Sequence, residues 1–296
     1  MIYYRRKILL SLLQMFGGSL HAIHFQKLLF LFTRTQTEKS FDFVPYQYGC
    51  FSFQANQDLS TMHKYGYVNF PDTKTIELTT EEDFLAELNM FDQAGMAQVK
   101  EQFENMTEQE VVKYTYRKYP YYAIKSKIAN RIMSKDELSL IEKQKRHYLE
   151  PALFTIGYEG ISLETYINRL IVNDVHLLCD VRKNAFSQKY GFSKSQLDMA
   201  CSGVGIKYVH VPQLGIESDK RRDLRSQRDY DILFDEYERT TLKENIEALF
   251  YVRSLIETDK RIALTCFEKD PKQCHRSRVA KALMQLPNPS YTLAQL

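Results

Sequence analysis

Residues 262–278 have the sequence IALTCFEKDPKQCHRSR, in which an apolar run, a polar turn and a Cys-His-Arg triplet follow one another. Its first five residues are typical of a buried strand, and Asp270-Pro271 marks a polar turn. A helix is expected to begin near Ser277, where free backbone N–H groups favour an anion. The junction therefore gathers reactive and charged side chains, namely Cys266, Glu268, Cys274, His275, Arg276 and Arg278.

Four strands with polar residues at their ends predict a parallel sheet in residues 151–296. The strands are expected at Phe154–Ile156, His176–Asp180, Tyr208–Val211 and Arg261–Cys266. Helices are expected near Leu163–Val172, Lys194–Ser202, Tyr230–Thr258 and Ser277–Met284. This alternation predicts an α/β, Rossmann-like domain whose ligand site lies beyond the carboxyl ends of the strands.

Residues 1–80 have a different pattern, in which helical segments precede a hairpin. Apolar positions at helical spacing fill residues 2–16 and 21–32, and a third helix is expected over Phe53–Lys64. Residues 66–78 alternate around a Pro-Asp turn, as a β-hairpin does. Three helices followed by a hairpin predict a winged-helix-like domain that binds DNA or a protein partner, and the weakly basic stretch 54–64 favours neither alternative.

Residues 81–150 are expected to form a helical connector. The first part is acidic, whereas residues 113–131 interleave cations, including Lys118 and Lys125, with tyrosines. That mixture suits contact with nucleic acid, with bases stacked on the rings and phosphates on the cations. The alternative is that the tyrosines pack inside the protein while the cations stay hydrated.

The composition describes a folded chain without a membrane segment. The 296 residues are 44% hydrophobic and 26% charged, enough for two domains with cores of their own. A net charge of +3 neither requires nor excludes a nucleic-acid partner. Five scattered cysteines, with no signal-peptide pattern and no long apolar run, predict a cytoplasmic protein with reduced thiols.

Two resemblances to known families accompany these patterns. Residues 152–285 resemble domain-of-unknown-function family 488 through Thr155–Gly160, Asp180–Arg182, Gly205–Gly215 and the Cys-x-Glu…Cys-His-Arg segment. Residues 1–80 resemble the SocA-like (Panacea) antitoxin domain through Gln26–Phe32 and Phe43–Gly49. The first resemblance implies a fold and a cleft without a settled activity, and the second, to an antitoxin domain, implies a bacterial mobile-element or phage-defence setting.

The predicted cleft has side chains for binding an anion and for moving a proton. The predicted ligand-binding residues are Tyr158, Glu159, Arg182, Arg276 and Arg278. The guanidinium groups of the three arginines can each donate two hydrogen bonds to phosphate or carboxylate oxygens. The candidate catalytic residues are Asp180, Glu268, His210, Cys274 and His275. Each has a structural alternative: Asp180 can pair with Arg182, and His210 can be a core histidine.

The residues of the same junction also raise the questions of a cysteine nucleophile and of a bound metal ion. Cys274 near a helix N-terminus and beside Arg276 would have a lowered pKa, as a nucleophile needs. Against a phosphatase-type site, the stretch from Cys266 to Arg276 is too long for the loop that such a site requires. Zinc ligation by Cys266, Cys274 and His275 lacks a fourth ligand at a familiar spacing, so no metal ligands are assigned, although a divalent metal is compatible with the predicted reactions. No P-loop or GxGxxG fingerprint is present, so no nucleotide cofactor is assigned.

A basic run follows the third strand. It is expected either to guide a polyanion to the cleft or to be a hydrated loop. Its cations include Lys220, Arg221, Arg222, Arg225 and Arg228.

The sequence thus predicts a protein that binds nucleic acid or nucleotides and that can be a hydrolase or group-transfer enzyme. The alternative is a non-enzymatic regulator that senses a small anion or binds a protein partner. Oligomeric state is left open.

Overall fold

The computed structural model describes residues 2–217, 219–221 and 224–296, so that Arg222, a predicted nucleic-acid contact, lies outside the described residues. The chain forms two compact units, Met1–Lys145 (unit 1) and Arg146–Leu296 (unit 2). Each unit has a hydrophobic cluster of its own.

Unit 1 is mostly helical. Its elements are α1 (Tyr4–Met15), β1 (Ser19–His21), α2 (Ala22–Phe32), β2 (Val44–Tyr46), β3 (Gly49–Phe51), α3 (Phe53–Lys64), β4 (Val68–Asn69), β5 (Thr75–Leu78), α4 (Met90–Phe103), α5 (Glu108–Lys118), α6 (Ala129–Ile132) and α7 (Lys135–Glu142). A 3₁₀ turn covers Pro120–Ala123.

Apart from the additional hairpin β2-β3 between α2 and α3, the order of the elements from α1 to β5 is that of a winged helix. Strands β4 and β5 form the predicted hairpin, and β1 pairs antiparallel with β5 to complete the sheet β1-β5-β4. Helix α2 is buried along nearly all of its length, from Phe25 to Phe32, because it is apolar on every side. Helix α3 begins at the predicted residue, where the Ser52 hydroxyl accepts a hydrogen bond from the Ala55 amide.

Residues beyond 80 contribute to the same core. Phe84, Val99 and Phe103 are buried with the side chains of α1 and α2. Tyr116 is fully buried, and the rings of Tyr119 and Tyr122 pack against Phe30. These tyrosines pack inside the protein, as the structural alternative proposes. Within the predicted helical connector, the last helix of unit 1, α7, ends at Glu142.

Unit 2 is an α/β sandwich around a parallel sheet. Its elements are β6 (Ala152–Gly157), α8 (Leu163–Val172), β7 (Leu177–Asp180), α9 (Lys194–Gly203), β8 (Lys207–His210), α10 (Gln227–Arg239), α11 (Thr241–Glu244), α12 (Ile246–Asp259), β9 (Arg261–Cys266), α13 (His275–Gln285) and β10 (Thr292–Gln295). Three 3₁₀ turns cover Pro212–Leu214, Asp219–Arg221 and Pro271–Gln273.

The sheet has the order β10-β6-β9-β7-β8, with every pair parallel. The four predicted strands are confirmed, and their continuous burial in β6, β7 and β9 reflects helices on both faces. All four therefore end at the same edge of the sheet, which positions the candidate site.

Three details of the prediction are wrong. The single helix expected over Tyr230–Thr258 is broken at Thr240 and Asn245, whose backbone angles leave the helical region. Helix α13 begins at His275 rather than near Ser277. The edge strand β10 was not predicted, because its residues are exposed and carry no hydrophobic alternation.

Within the described residues, no helix combines the length and the apolar character that crossing a bilayer requires.

Candidate functional site

The first strand end at the site is that of β7, where Asp180 and Arg182 form a buried ion pair. Arg182 donates from Nε to Oδ1 of Asp180 at 2.8 Å and from Nη2 to Oδ2 at 2.5 Å. The Tyr208 hydroxyl donates to Oδ2 at 2.6 Å. Asp180 is fully buried and both of its oxygens accept hydrogen bonds, so in this geometry it positions Arg182, as the structural alternative proposes.

Tyr158 and Glu159, predicted to bind a ligand, support neighbouring elements. The Tyr158 ring stacks on Phe192, with centroids 4.3 Å apart, and its hydroxyl accepts a hydrogen bond from Arg182. Glu159 accepts a hydrogen bond from the Lys269 amide at 2.9 Å. Both residues thereby hold the loops that follow β7 and β9.

The end of β9 and the start of α13 form what we call the thiol cluster, comprising Cys266, Glu268, Cys274 and His275. The ligating atoms of Cys266, Cys274 and His275 all lie within 4.8 Å of one another. Cys266 Sγ lies 3.6 Å from His275 Nδ1 and 3.2 Å from Glu268 Oε2. The two cysteines and His275 are each at most 1% exposed.

The pKa values of the two thiols of the cluster are shifted in opposite directions. Burial alone would raise the pKa of Cys266, but a hydrogen bond with Cys274 and the charge of His275 lower it well below its ordinary value. Burial and the bond to Cys266 raise the pKa of Cys274. The prediction of an acidic Cys274 is therefore wrong, since the neighbour of His275 across the junction is Cys266.

The other two titratable groups of the cluster also shift. Burial alone would lower the pKa of His275, but the charge of Cys266 raises it. Burial and the charge of Cys266 raise the pKa of Glu268. The cluster therefore favours a thiolate on Cys266 beside a protonated imidazole.

The arginines of the junction do not converge on one ligand, contrary to the prediction. Arg276 is fully buried, and it donates to the carbonyl oxygens of Glu268 at 2.5 Å and Lys269 at 3.2 Å. Arg278 donates to Glu238 at 3.0 Å and lies over the Phe234 ring. Arg276 thus shapes the loop after β9, while Arg278 joins α13 to α10.

Close approach of backbones at the sheet edge requires glycine at two positions. A Cβ on Gly157 would lie 2.0 Å from the Glu268 carbonyl oxygen, and a Cβ on Gly215 would lie 2.1 Å from the Lys183 amide nitrogen. Loops from neighbouring strands therefore contact each other directly beside the site.

An open cleft, which we call the lysine cleft, lies beside β7 and β8. It has a volume of about 630 Å³ and is lined by Lys183, Asn184, Ala185, Phe186, Ser193, Lys194, Ser195, Asp198 and His210. His210 Nε2 donates to the Arg182 carbonyl oxygen at 2.8 Å. A neutral His210 then keeps Nδ1 as a proton acceptor. Sequence reasoning found His210 but missed the lysines and Phe186, which have no recognisable motif.

The predicted basic run is partly neutralised. Arg221 forms an ion pair with Glu268, and Lys220 pairs with Glu236 at 3.1 Å. Arg221 therefore belongs to the surroundings of the thiol cluster. The other described cations of the run, Arg225 and Arg228, lie on the surface.

Two further predicted nucleic-acid contacts lie in unit 1. Lys118 donates to the Tyr114 hydroxyl at 3.0 Å, and Lys125 is exposed.

Unit 1 contains a pocket that sequence reasoning missed, which we call the Lys27 pocket. Its volume is about 500 Å³, and aromatic residues, including Tyr46, Tyr48 and Phe51, line it with Lys27. Lys27 is 1% exposed and donates to the Cys50 carbonyl oxygen at 3.0 Å. Burial lowers the pKa of Lys27. The sequence signal for this pocket is a lysine within an otherwise apolar helix.

Comparison with known proteins concerns unit 2. Residues 162–283 match the model of a family described as Domain of unknown function DUF488, which supports the predicted resemblance of the C-terminal part. The matched stretch includes the thiol cluster and the lysine cleft. No curated protein matches the chain.

Proposed function

We propose that unit 2 binds a nucleotide, free or within single-stranded nucleic acid, in the lysine cleft. The observation that carries the proposal is Phe186, whose side chain is 70% exposed beside Lys183 and Lys194. An exposed ring next to two cations suits a base stacked on the ring and phosphates bound by the lysines. The cleft also lies beyond the carboxyl ends of parallel strands, where such ligands bind in this fold class.

The start of α9 supports an anion in the same place. The Ser193 side chain does not cap this helix, because its hydroxyl donates to the Ser187 carbonyl and accepts from the Ser187 amide. The first turn of α9 therefore has no side-chain cap and faces the lysines with its positive dipole end.

The surface pair that Lys183 forms with Glu217, at 3.0 Å, joins two well-exposed side chains. Such a pair is weak, so a phosphate can replace the carboxylate. His210 is the histidine in the cleft wall and would serve as general base if the bound substrate is hydrolysed or transferred.

Binding is tested with fluorescence anisotropy of labelled single-stranded DNA, RNA and free nucleotides on the full chain. We expect Phe186→Ala to weaken binding by about 1–3 kcal/mol through lost stacking. Lys194→Glu should weaken it as well and lower the salt dependence by at least about 0.7 in the log–log slope.

Phe250→Ala and Lys281→Glu are the matched controls, since both residues are exposed and lie outside the cleft. Absence of binding by the wild type, or equal losses in test and control variants, would refute the proposal. Product analysis of the same mixtures tests for an enzyme, because turnover by the wild type that disappears in His210→Asn requires His210 chemistry.

A second candidate function is a regulator that binds a small anion in the Lys27 pocket. The favouring observation is a buried ammonium whose hydrogen-bond acceptor at 3.0 Å is a carbonyl oxygen, which carries no full charge. An anionic group would stabilise the charged lysine, while the aromatic wall would bind an apolar body. The resemblance of residues 1–80 to the SocA-like domain is compatible with this role in a toxin-antitoxin setting.

Calorimetric titration with aromatic carboxylates and phosphates tests this candidate. Binding by the wild type should disappear in Lys27→Met and persist in Lys64→Met, because Lys64 is exposed on α3. Unchanged affinity in Lys27→Met would exclude the pocket as the binding site.

A further inference from the structure

The thiol cluster brings the ligand atoms of Cys266, Cys274 and His275 within 4.8 Å of one another, and the Glu268 carboxylate lies beside Cys266. Cys266 ends β9, Glu268 lies in the loop, and Cys274 and His275 begin α13. We infer that this cluster is a site for a zinc-class divalent metal ion, bound by both sulfurs, by His275 Nδ1 and by Glu268 Oε2. The inference does not depend on nucleotide binding in the lysine cleft.

The separation between the Cys266 sulfur and the His275 nitrogen matches a tetrahedral ion. With metal–sulfur bonds of about 2.3 Å and metal–nitrogen bonds of about 2.0 Å, a tetrahedral angle separates sulfur and nitrogen by about 3.5 Å. Cys266 Sγ and His275 Nδ1 are 3.6 Å apart. Cys266 Sγ and Glu268 Oε2 are 3.2 Å apart, so the carboxylate would move away by a few tenths of an ångström.

The groups around the donors are those that orient metal ligands. His275 Nε2 donates to the Val181 carbonyl oxygen at 2.9 Å, which leaves Nδ1 to bind a metal. The other Glu268 oxygen accepts from Arg221, and Arg276 holds the Glu268 carbonyl. These contacts fix the ring and the loop before any metal arrives.

The charges also balance around a divalent ion. On binding, Cys274 and the protonated imidazole of His275 each release one proton to solvent, so that Cys266 and Cys274 bind as thiolates and His275 as the neutral imidazole. The ion together with the Arg221 guanidinium then neutralises two thiolates and the Glu268 carboxylate. Mixed sulfur and nitrogen ligands favour zinc over magnesium or calcium, which prefer oxygen.

The position of the cluster indicates a structural rather than an open catalytic site. Cys266, Cys274 and His275 are at most 1% exposed, and Glu268, which lies beside Cys266, would take the fourth position. The ion would cross-link the end of β9 to the start of α13. The sequence pattern argued against zinc because it shows no fourth ligand at a familiar spacing, whereas the fold places Glu268 beside Cys266 as a candidate for that ligand.

The test measures bound metal in the full chain, purified under reducing conditions after growth with added zinc. We expect one zinc per chain by elemental analysis and the intense visible absorption of tetrahedral sulfur-ligated Co²⁺ after exchange. Cys274→Ser and His275→Gln should each weaken binding at least about tenfold, measured by competition with a chromogenic chelator. Cys201→Ser, a buried cysteine of α9 outside the cluster, should keep full metal content.

Because a cluster variant can fail to fold, the wild-type Co²⁺ spectrum and the Glu268→Gln variant provide independent readouts. Glu268 is partly exposed, so this variant should fold and bind metal about 10–100-fold more weakly. Folded wild type that acquires neither zinc nor a Co²⁺ spectrum overturns the inference. Equal metal loss in Cys201→Ser and Cys274→Ser overturns it as well.

Discussion

At the scale of single residues, the contacts of Asp180 change how a substitution there must be interpreted. The carboxylate is fully buried and holds Arg182, which is itself 5% exposed. Removing one member of a buried pair leaves the other charge without compensation, and this is more costly than removing both. Loss of activity in an Asp180 variant would therefore report the fold before it reports chemistry.

We expect Asp180→Asn to lower the free energy of unfolding of unit 2 by about 3–5 kcal/mol, because it leaves the Arg182 guanidinium buried without a counter-charge. Urea denaturation followed by circular dichroism measures this. Asp180→Asn combined with Arg182→Leu should recover part of the loss. The exposed Asp198 nearby gives the control Asp198→Asn, and equal effects at both aspartates would contradict the prediction.

Asp58 in α3 is a second buried carboxylate. Its side chain points inward and accepts hydrogen bonds from Arg5 and Arg6 at 2.6 and 2.7 Å. Burial alone would raise its pKa, but these two arginines lower it below the ordinary value of 3.8.

This shift makes unit 1 sensitive to acid. Because the folded-state pKa is lower than the unfolded one, the stabilisation is fully present above pH 3.8 and is lost as the pH falls through the folded value. We expect the melting temperature of unit 1 to fall across this interval and to fall less in Asp58→Asn, which has no carboxyl group to titrate at that position. Parallel melting curves for the two proteins would contradict the assignment.

At the scale of elements, the sheet edge is held by direct contact between loops. Strands β6 and β9 are neighbours, and the loop after β9 lies against Gly157 at the end of β6. Added volume there cannot be absorbed by a flexible side chain, since the atom it meets belongs to the backbone.

Gly157→Ala is expected to destabilise unit 2 by about 1–3 kcal/mol, as overpacking of a tight site does. It should also displace Glu268 and thereby weaken metal binding. Thermal denaturation and zinc competition measure the two effects. An unchanged melting temperature would show that the loop after β9 is not in contact with β6 in solution.

Elements with a strong local sequence pattern were predicted correctly, whereas features that depend on tertiary packing were not. Strand β9 has a continuous apolar run and was located to the residue, whereas the exposed strand β10 has no such run. Cys266, Cys274 and His275 were correctly grouped at one junction. The contacts of the Arg276 side chain with the loop after β9, and the ion pair between Arg221 and Glu268, depend on the conformation of the loops. No local sequence pattern encodes that conformation.

At the scale of the whole molecule, the described residues include hydrophobic clusters that belong to different stretches of sequence. One lies within residues 8–111 and another within residues 153–291. Each unit has the size of an ordinary single domain with its own core.

Residues 146–296 are therefore expected to fold when expressed without unit 1. The fragment should be soluble, unfold cooperatively, and retain both the Co²⁺ spectrum and nucleotide binding of the full chain. Circular dichroism and the binding assays above check this. A fragment that is unfolded, or that loses both ligands while folded, would show that unit 2 requires unit 1.

The pairing of β6 with β9 also has a kinetic consequence. Ala152 and Arg261 are partners in this central ladder, although the whole of α8 to α12 lies between them in the chain. The entropy of closing so large a loop must be lost before the sheet can form, and non-local pairings of this kind slow folding. Unit 1, with its predominantly local helices, should reach its native state first, while newly made unit 2 spends longer with unpaired strand edges that are prone to aggregation.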